Sequence, residues 1–181
     1  MKRYILTGAP GAGKTTIIRA LQAMGHAVVE EAATDVIASR LAEGLAEPWM
    51  HPSFVDDIAE LQRLRQIATP APADGLQFFD RGPVCTYALS RFLGHPDSTG
   101  VSQELDRIER LKIYQRQVFF IDNLGFVTPT AARRISFEDS LRFEAVHEAA
   151  YRALGYELIR VLVDEPAKRA EMIARYVKDF S

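Results

Sequence analysis

Residues 4–16 read YILTGAPGAGKTT, and the fold follows from how this stretch is understood. Tyr4, Ile5 and Leu6 form a short apolar run of strand type. The chain then breaks at Gly8, passes through Ala9, Pro10, Gly11 and Ala12, and reaches Gly13, Lys14 and Thr15. That is the spacing G-x-x-x-x-G-K-S/T, set where a strand feeds a helix, which is the context the pattern needs. The helix expected over 14–24 keeps Ile17, Ile18 and Leu21 on one apolar side.

The chemistry of the loop explains its residues. Glycines let successive backbone N–H groups point into one concavity, because a Cβ would block those dihedrals. The first turn of the helix adds unpaired donors and partial positive charge where a phosphate would sit. Lys14 is placed to reach β- and γ-phosphates and the Thr15 hydroxyl to ligate Mg²⁺, whereas Thr16 comes one residue too late for that ligand role. The expected phosphate-binding set is therefore Gly8, Pro10, Gly11, Ala12, Gly13, Lys14, Thr15 and Thr16. With glycine near 7% of average composition, a chance match in a chain this long is on the order of one in a hundred.

A length of 181 residues with 48% hydrophobic content suits one α/β domain over 1–181. The net charge of −2 offers no argument for nucleic acid or an acidic membrane. The single cysteine, Cys85, excludes an internal disulfide and a cysteine-based metal cluster, and it fits a reducing compartment. The first strand starts within four residues of Met1, leaving no room for a signal peptide, and no apolar run is long enough to span a membrane. The expectation is a soluble cytoplasmic chain.

Strands are expected at 4–6, 27–29, 76–80, 114–122 and 156–163. Helices are expected at 14–24, 32–45, 53–68, 83–94, 102–111, 136–154 and from 166 onward. Ser136 with Asp139 has the look of a capping box. Strands alternating with helices mean parallel pairing through crossovers, hence a doubly wound sheet. No internal repeat or low-complexity tract interrupts it.

Ligands of such sheets gather beyond the carboxyl ends of the strands, where Glu31, Asp80, Asp122 and Asp164 fall. Asp80 ends an apolar strand, the position of an acid that holds Mg²⁺, and Arg81 after it could pair a phosphate with its planar fork. A strand-end aspartate capping the next helix is the alternative. Glu31 could accept a proton from an attacking hydroxyl, or orient a water, facing the γ-phosphate, with Glu30 as competitor; a solvated start to the next helix is the alternative. Asp122 opens D-N-L-G, matching the D-x-x-G of GTP switches, but Asn123 is the chain's one asparagine and leucine follows it, so the guanine reader is missing. Asp164 reads as a helix cap. Arg133 and Arg134 precede a long helix, where paired arginines suit a lid over about 124–136 that closes on the phosphates; a solvated basic pair is the alternative. His26, His51, His95 and His147 lack metal-ligand spacing and read as surface or capping residues. Cys85 reads as core and not as a nucleophile; Tyr87, Phe92, Trp49 and Phe54 could line a pocket for a flat substrate, with core packing expected for most of them.

Taken together, GAPGAGKTT, then VVEEA, FFDRG and ARRISFEDS, resemble the small P-loop proteins grouped with AAA-family ATPases. The arrangement is similar to nucleoside and nucleotide kinases, including the nicotinamide riboside kinase domain, more than to ring-forming machines, whose sensor arginines have no counterpart here. The resemblance implies a three-layer P-loop fold with a five-stranded parallel sheet in order 2-3-1-4-5. It also implies that Asp80-Arg81 act as the acid-arginine pair of such kinases, with Glu31 as the acceptor-side carboxylate. Relatives carry an acid before the paired arginines, where this chain has Ala131-Ala132. The function implied is an ATP·Mg²⁺ phosphotransferase: Thr15 and Asp80 on the metal, Lys14, Glu31, Arg81, Arg133 and Arg134 on the transferring group, and a small nucleoside- or nucleotide-like acceptor as partner. The alternative is a nucleotide-hydrolysing binding module without such an acceptor.

Overall fold

Three strands, β1 (Lys2–Thr7), β3 (Leu76–Asp80) and β4 (Gln117–Ile121), become buried on both faces toward their carboxyl ends. Only a sheet covered by helices on each side can satisfy them. In the computed structural model, which describes residues 1–95, 98–126 and 135–179, they join β2 (Ala27–Val29) and β5 (Glu157–Val161). All five pair in parallel, in the order β2-β3-β1-β4-β5. The expected fold class and strand order are those of the molecule.

Strand alternation sorts the core into two layers. Tyr4 and Leu6 of β1, with Phe78, Phe119 and Ile121, pack under α1 (Lys14–Ala23) and α7 (Pro166–Asp179) through Ile17, Leu21, Ile173 and Val177. Ile5, Phe79 and Val118 face the other way, under α4 (Pro83–Leu93) and α6 (Phe137–Ala153), against Val84, Ala88 and Tyr151. Each such side chain contributes roughly 1.5–3 kcal/mol by leaving water, so a one-residue slip of register would be prohibitive. A further cluster around Phe54, Val55, Ile58 and Val101 joins α2 (Ala33–Ala42), α3 (Phe54–Ala68) and α5 (Thr99–Arg110).

Boundaries differ from expectation where side chains override the pattern. α5 starts at Thr99 instead of 102, because the Ser98 hydroxyl accepts the Val101 N–H at 3.1 Å and caps it. β4 starts at Gln117 instead of 114, since Lys112 turns the chain at φ 48° and Tyr114 tucks its ring edge-on against Phe79. Of the expected capping box the N-cap half is present: Ser136 Oγ accepts the Asp139 N–H at 3.0 Å, and the Asp139 carboxylate accepts the Ser136 hydroxyl at 2.8 Å. Most of the expected lid, with Arg133 and Arg134, lies outside the described residues. Among the described residues no helix is long and apolar enough to cross a membrane.

Candidate functional site

The site is built by the register of β1 against β3, which sets Leu6 beside Asp80 and so brings the end of β3 to the start of the phosphate loop. The loop turns at once: Gly8 takes φ 130°, and a Cβ there would collide with the Ile121 carbonyl of β4. Gly13, at φ 84°, leads directly into α1.

Lys14, on the first turn of α1, is buried and curls back so that Nζ donates to the carbonyls of Gly8 at 3.1 Å and Ala9 at 2.7 Å. Burial, with the nearby Arg81 charge, lowers its pKa to about 7 although Asp80 and Glu31 pull the other way. The Thr15 hydroxyl donates to Asp80 Oδ2 at 3.1 Å, while Asp80 Oδ1 is buried and has no hydrogen-bond partner. Burial and the Glu31 charge raise the Asp80 pKa. Among the described residues no group of three or more His, Cys, Asp or Glu side chains could hold a metal alone. One hydroxyl and one carboxylate with an orphaned oxygen fit Mg²⁺, which keeps waters and substrate phosphates as its other ligands.

Arg81 follows at φ 71°, a left-handed conformation that costs a non-glycine residue roughly 1–3 kcal/mol. The backbone is pinned there by its N–H to the Leu6 carbonyl at 3.0 Å. Gly82 then runs so close to Ile5 that a Cβ would sit 2.8 Å from its Cδ1. The turn aims the guanidinium at Glu31, whose Oε1 accepts Arg81 Nε at 2.6 Å and whose Oε2 accepts the Thr34 hydroxyl at 2.9 Å. Burial would raise the Glu31 pKa, but Arg81, Lys14 and these hydrogen bonds together lower it. Glu31, and not Glu30, is therefore the residue of β2's end that meets Arg81.

Arg169 on α7 braces the loop from behind, donating to the carbonyls of Ala12 at 3.0 Å and Asp122 at 2.9 Å. Ala12 itself packs in the core. The Asp122 carboxylate lies 3.2 Å from Arg160 Nε on β5, an ion pair that occupies the acid of the D-x-x-G match. Asp164 accepts the Glu165 N–H at 2.7 Å beside the start of α7.

These groups open onto one cavity of about 780 Å³. Its lining takes Pro10, Gly11, Gly13, Lys14, Thr15 and Thr16 from the phosphate loop and first helix, and Asp80, Arg81 and Glu31 from the ends of β3 and β2. Trp49, Phe54, Ile58, Leu89, Phe92 and Phe143 add an apolar lining to the cavity from the short helix η1 (Pro48–Met50), α3, α4 and α6. Gln62 and Thr86, also lining it, bond to each other at 2.9 Å. Of the four aromatics named from the sequence, Tyr87 packs in the core without lining the cavity, whereas Trp49, Phe54 and Phe92 line it, Trp49 and Phe54 while also joining the cluster around Val55 and Ile58. They bridge helices distant in sequence, so no local spacing announces them. Cys85 is buried as expected, its Sγ 3.1 Å from the Tyr151 hydroxyl, and it also reaches the cavity wall.

His147 corrects the expectation of a surface or capping role. It is fully buried on α6, with Nε2 3.1 Å from Arg81 Nη1. The one signal that could have found it is its place on the buried stripe of α6, four residues after Phe143.

Comparison with solved structures supports the same architecture. NadR protein in complex with NAD and AMP-PNP superposes at TM-score 0.66 and 16% identity, over 98% of this chain and 49% of that one. The chain thus spans about half of NadR. Shikimate kinase from Acinetobacter baumannii in complex with shikimate aligns at TM-score 0.59 and 13% identity, covering 100% and 95% of the two chains. Deoxyadenosine kinase from M. mycoides with bound dCTP aligns at 0.57 and 16%, covering 99% and 100%. At these identities the likeness shows the fold. No curated protein is significantly similar in sequence. The family model described as an AAA domain matches residues 3–169, nearly the whole chain, and the protein belongs to that family of P-loop proteins.

Proposed function

We propose that the protein is a small-molecule kinase that transfers the γ-phosphoryl group of ATP to a hydroxyl of an acceptor seated against the apolar lining of the cavity. One observation carries this: the phosphate loop shares a single cavity with a set of aromatic side chains, Trp49, Phe54, Phe92 and Phe143, and the Glu31–Arg81 pair lines the same cavity. A plain hydrolase needs no such chamber. The similar folds named above include kinases, which supports the same reading.

In this reading the loop N–H groups and Lys14 bind the β- and γ-phosphates, with Lys14 leaving the Gly8 and Ala9 carbonyls to do so. Thr15 and Asp80 would hold Mg²⁺, which would supply charge neutralisation to the phosphates. Glu31 orients the acceptor hydroxyl and takes its proton as the new P–O bond forms and the bond from the γ-phosphorus to the bridging oxygen breaks, releasing ADP. Arg81 stabilises charge on the transferring group. Arg133 and Arg134 would add to that stabilisation from the lid. Phosphoryl transfer asks mostly for positioning and charge, so these residue types suffice.

The chamber also restricts the acceptor. Among the described residues lining its acceptor side, Arg81 is the cation and Glu31 already engages it, whereas Glu31, Glu47 and Asp139 are acidic. An anionic acceptor would be desolvated beside carboxylates. A flat, neutral or cationic ring carrying a primary alcohol fits, its ring edge reading Gln62 and Thr86. Incubation with ATP·Mg²⁺ and a panel of nucleosides, nicotinamide riboside, nucleoside monophosphates and shikimate should yield a phosphorylated nucleoside-type alcohol, with the anionic compounds turned over at least tenfold less efficiently. ATP hydrolysis that no acceptor stimulates, together with a nucleotide-gated protein partner, would support a binding module instead.

A further inference from the structure

His147 is enclosed on every side, and its two ring nitrogens meet partners of opposite kind. Nδ1 lies 2.9 Å from the Phe143 carbonyl, which can only accept, so Nδ1 carries the proton. Nε2 lies 3.1 Å from Arg81 Nη1, which can only donate, so Nε2 is bare. A doubly protonated ring would set one N–H against another. Burial first, then the Arg81 charge, holds the ring's pKa well below its ordinary value, in agreement with that geometry. Arg81 and Lys14 are the charged groups acting on the ring, and neither favours its protonation.

We infer that His147 is a positioning residue for Arg81: as a neutral acceptor on α6 it fixes the guanidinium plane that Glu31 grips from the other side. This rests on the kinase reading of the site. Glu31 holds Nε and His147 holds Nη1, so the planar fork is clamped at two points and Nη2 is the nitrogen that neither contact takes. A guanidinium held only by Glu31 could swing about that bond. A guanidinium pinned from two elements presents one nitrogen in one direction, as a group that stabilises a transferring phosphoryl must. This contact ties α6 directly to the Arg81 turn from behind the cavity wall.

The test uses the intact protein and the acceptor found in the panel above. His147→Leu removes the acceptor atom, and His147→Gln restores one near the position of Nε2. His147→Leu should lower kcat by about tenfold to a hundredfold, the range typical when a supporting hydrogen bond is lost, with KM for ATP within about twofold. His147→Gln should recover most of the loss. The ¹⁵N spectrum of the wild-type imidazole should show the Nδ1-protonated neutral form, unchanged across neutral pH and perturbed by Arg81→Lys. An unchanged kcat in His147→Leu, equal losses in both variants, or an Nε2-protonated ring would overturn the role. A wild-type protein without turnover on any acceptor would overturn the kinase reading itself, a result distinct from an active wild type with an indifferent Leu variant.

Discussion

Lys14→Met should abolish phosphoryl transfer, by about a thousandfold or more, and leave the fold intact. The loss is large because Lys14 is the cation that the phosphate loop itself supplies, and charge on the transferring γ-phosphoryl would go uncompensated without it. The fold should survive because the lysine is not a stabilising element in the free protein. Its two carbonyl contacts are offset by the burial that brings its pKa down to about 7. Melting of the free variant should stay within about 1 kcal/mol of wild type. The same lowered pKa gives a second signature. A triphosphate beside Lys14 raises its pKa, so binding takes up a proton wherever the free lysine is neutral and the bound one is charged. Affinity for ATP should be flat below about pH 7 and weaken above it, by at most tenfold per pH unit. Calorimetry at about pH 8 in buffers of different ionisation enthalpy should record uptake approaching one proton, absent in Lys14→Met. Turnover at the wild-type rate in the variant would remove Lys14 from the chemistry.

Asp80→Asn should produce the opposite pairing of effects: slower catalysis, by roughly a hundredfold to a thousandfold, in a more stable free protein. The amide keeps an acceptor for the Thr15 hydroxyl and removes a charge that the fold holds at a cost. The sign follows from the raised pKa. Burial and the Glu31 charge favour the protonated acid in the folded state, so the stability this group contributes is present at low pH and lost as pH rises through its folded value. At neutral pH the ionised carboxylate therefore weakens the free protein, and its replacement should raise the melting temperature. Wild-type protein should melt higher in ATP with Mg²⁺ than in ATP with a chelator; in Asp80→Asn the two curves should coincide. A variant that loses stability yet keeps the Mg²⁺ difference would make Asp80 a structural cap.

Residues 4–16 disclosed the fold because every feature of the loop is local: strand, glycines, lysine and helix follow one another along the chain. Asp80 and Arg81 were legible for a related reason, since an apolar strand that stops on an acid marks the sheet's carboxyl edge. Glu31 could be placed at that edge, but its pairing with Arg81 could not, because 50 positions separate them and the contact depends on Arg81 adopting φ 71°. His147 was misread on the same ground. Its partner lies 66 positions away, and a histidine on a helix carries no mark of which face is enclosed. Trp49, Phe54 and Phe92 come from three separate elements, and only tertiary packing turns them toward a common chamber.

Every role assigned here depends on a triphosphate occupying the cradle between β1 and α1, and isothermal titration of the intact protein with ATP, with and without Mg²⁺, tests that most directly. Saturable binding at one site per chain, tightened by Mg²⁺ and lost in Lys14→Met, is the expected result. No heat with any purine nucleotide, or an affinity indifferent to Mg²⁺, would contradict it.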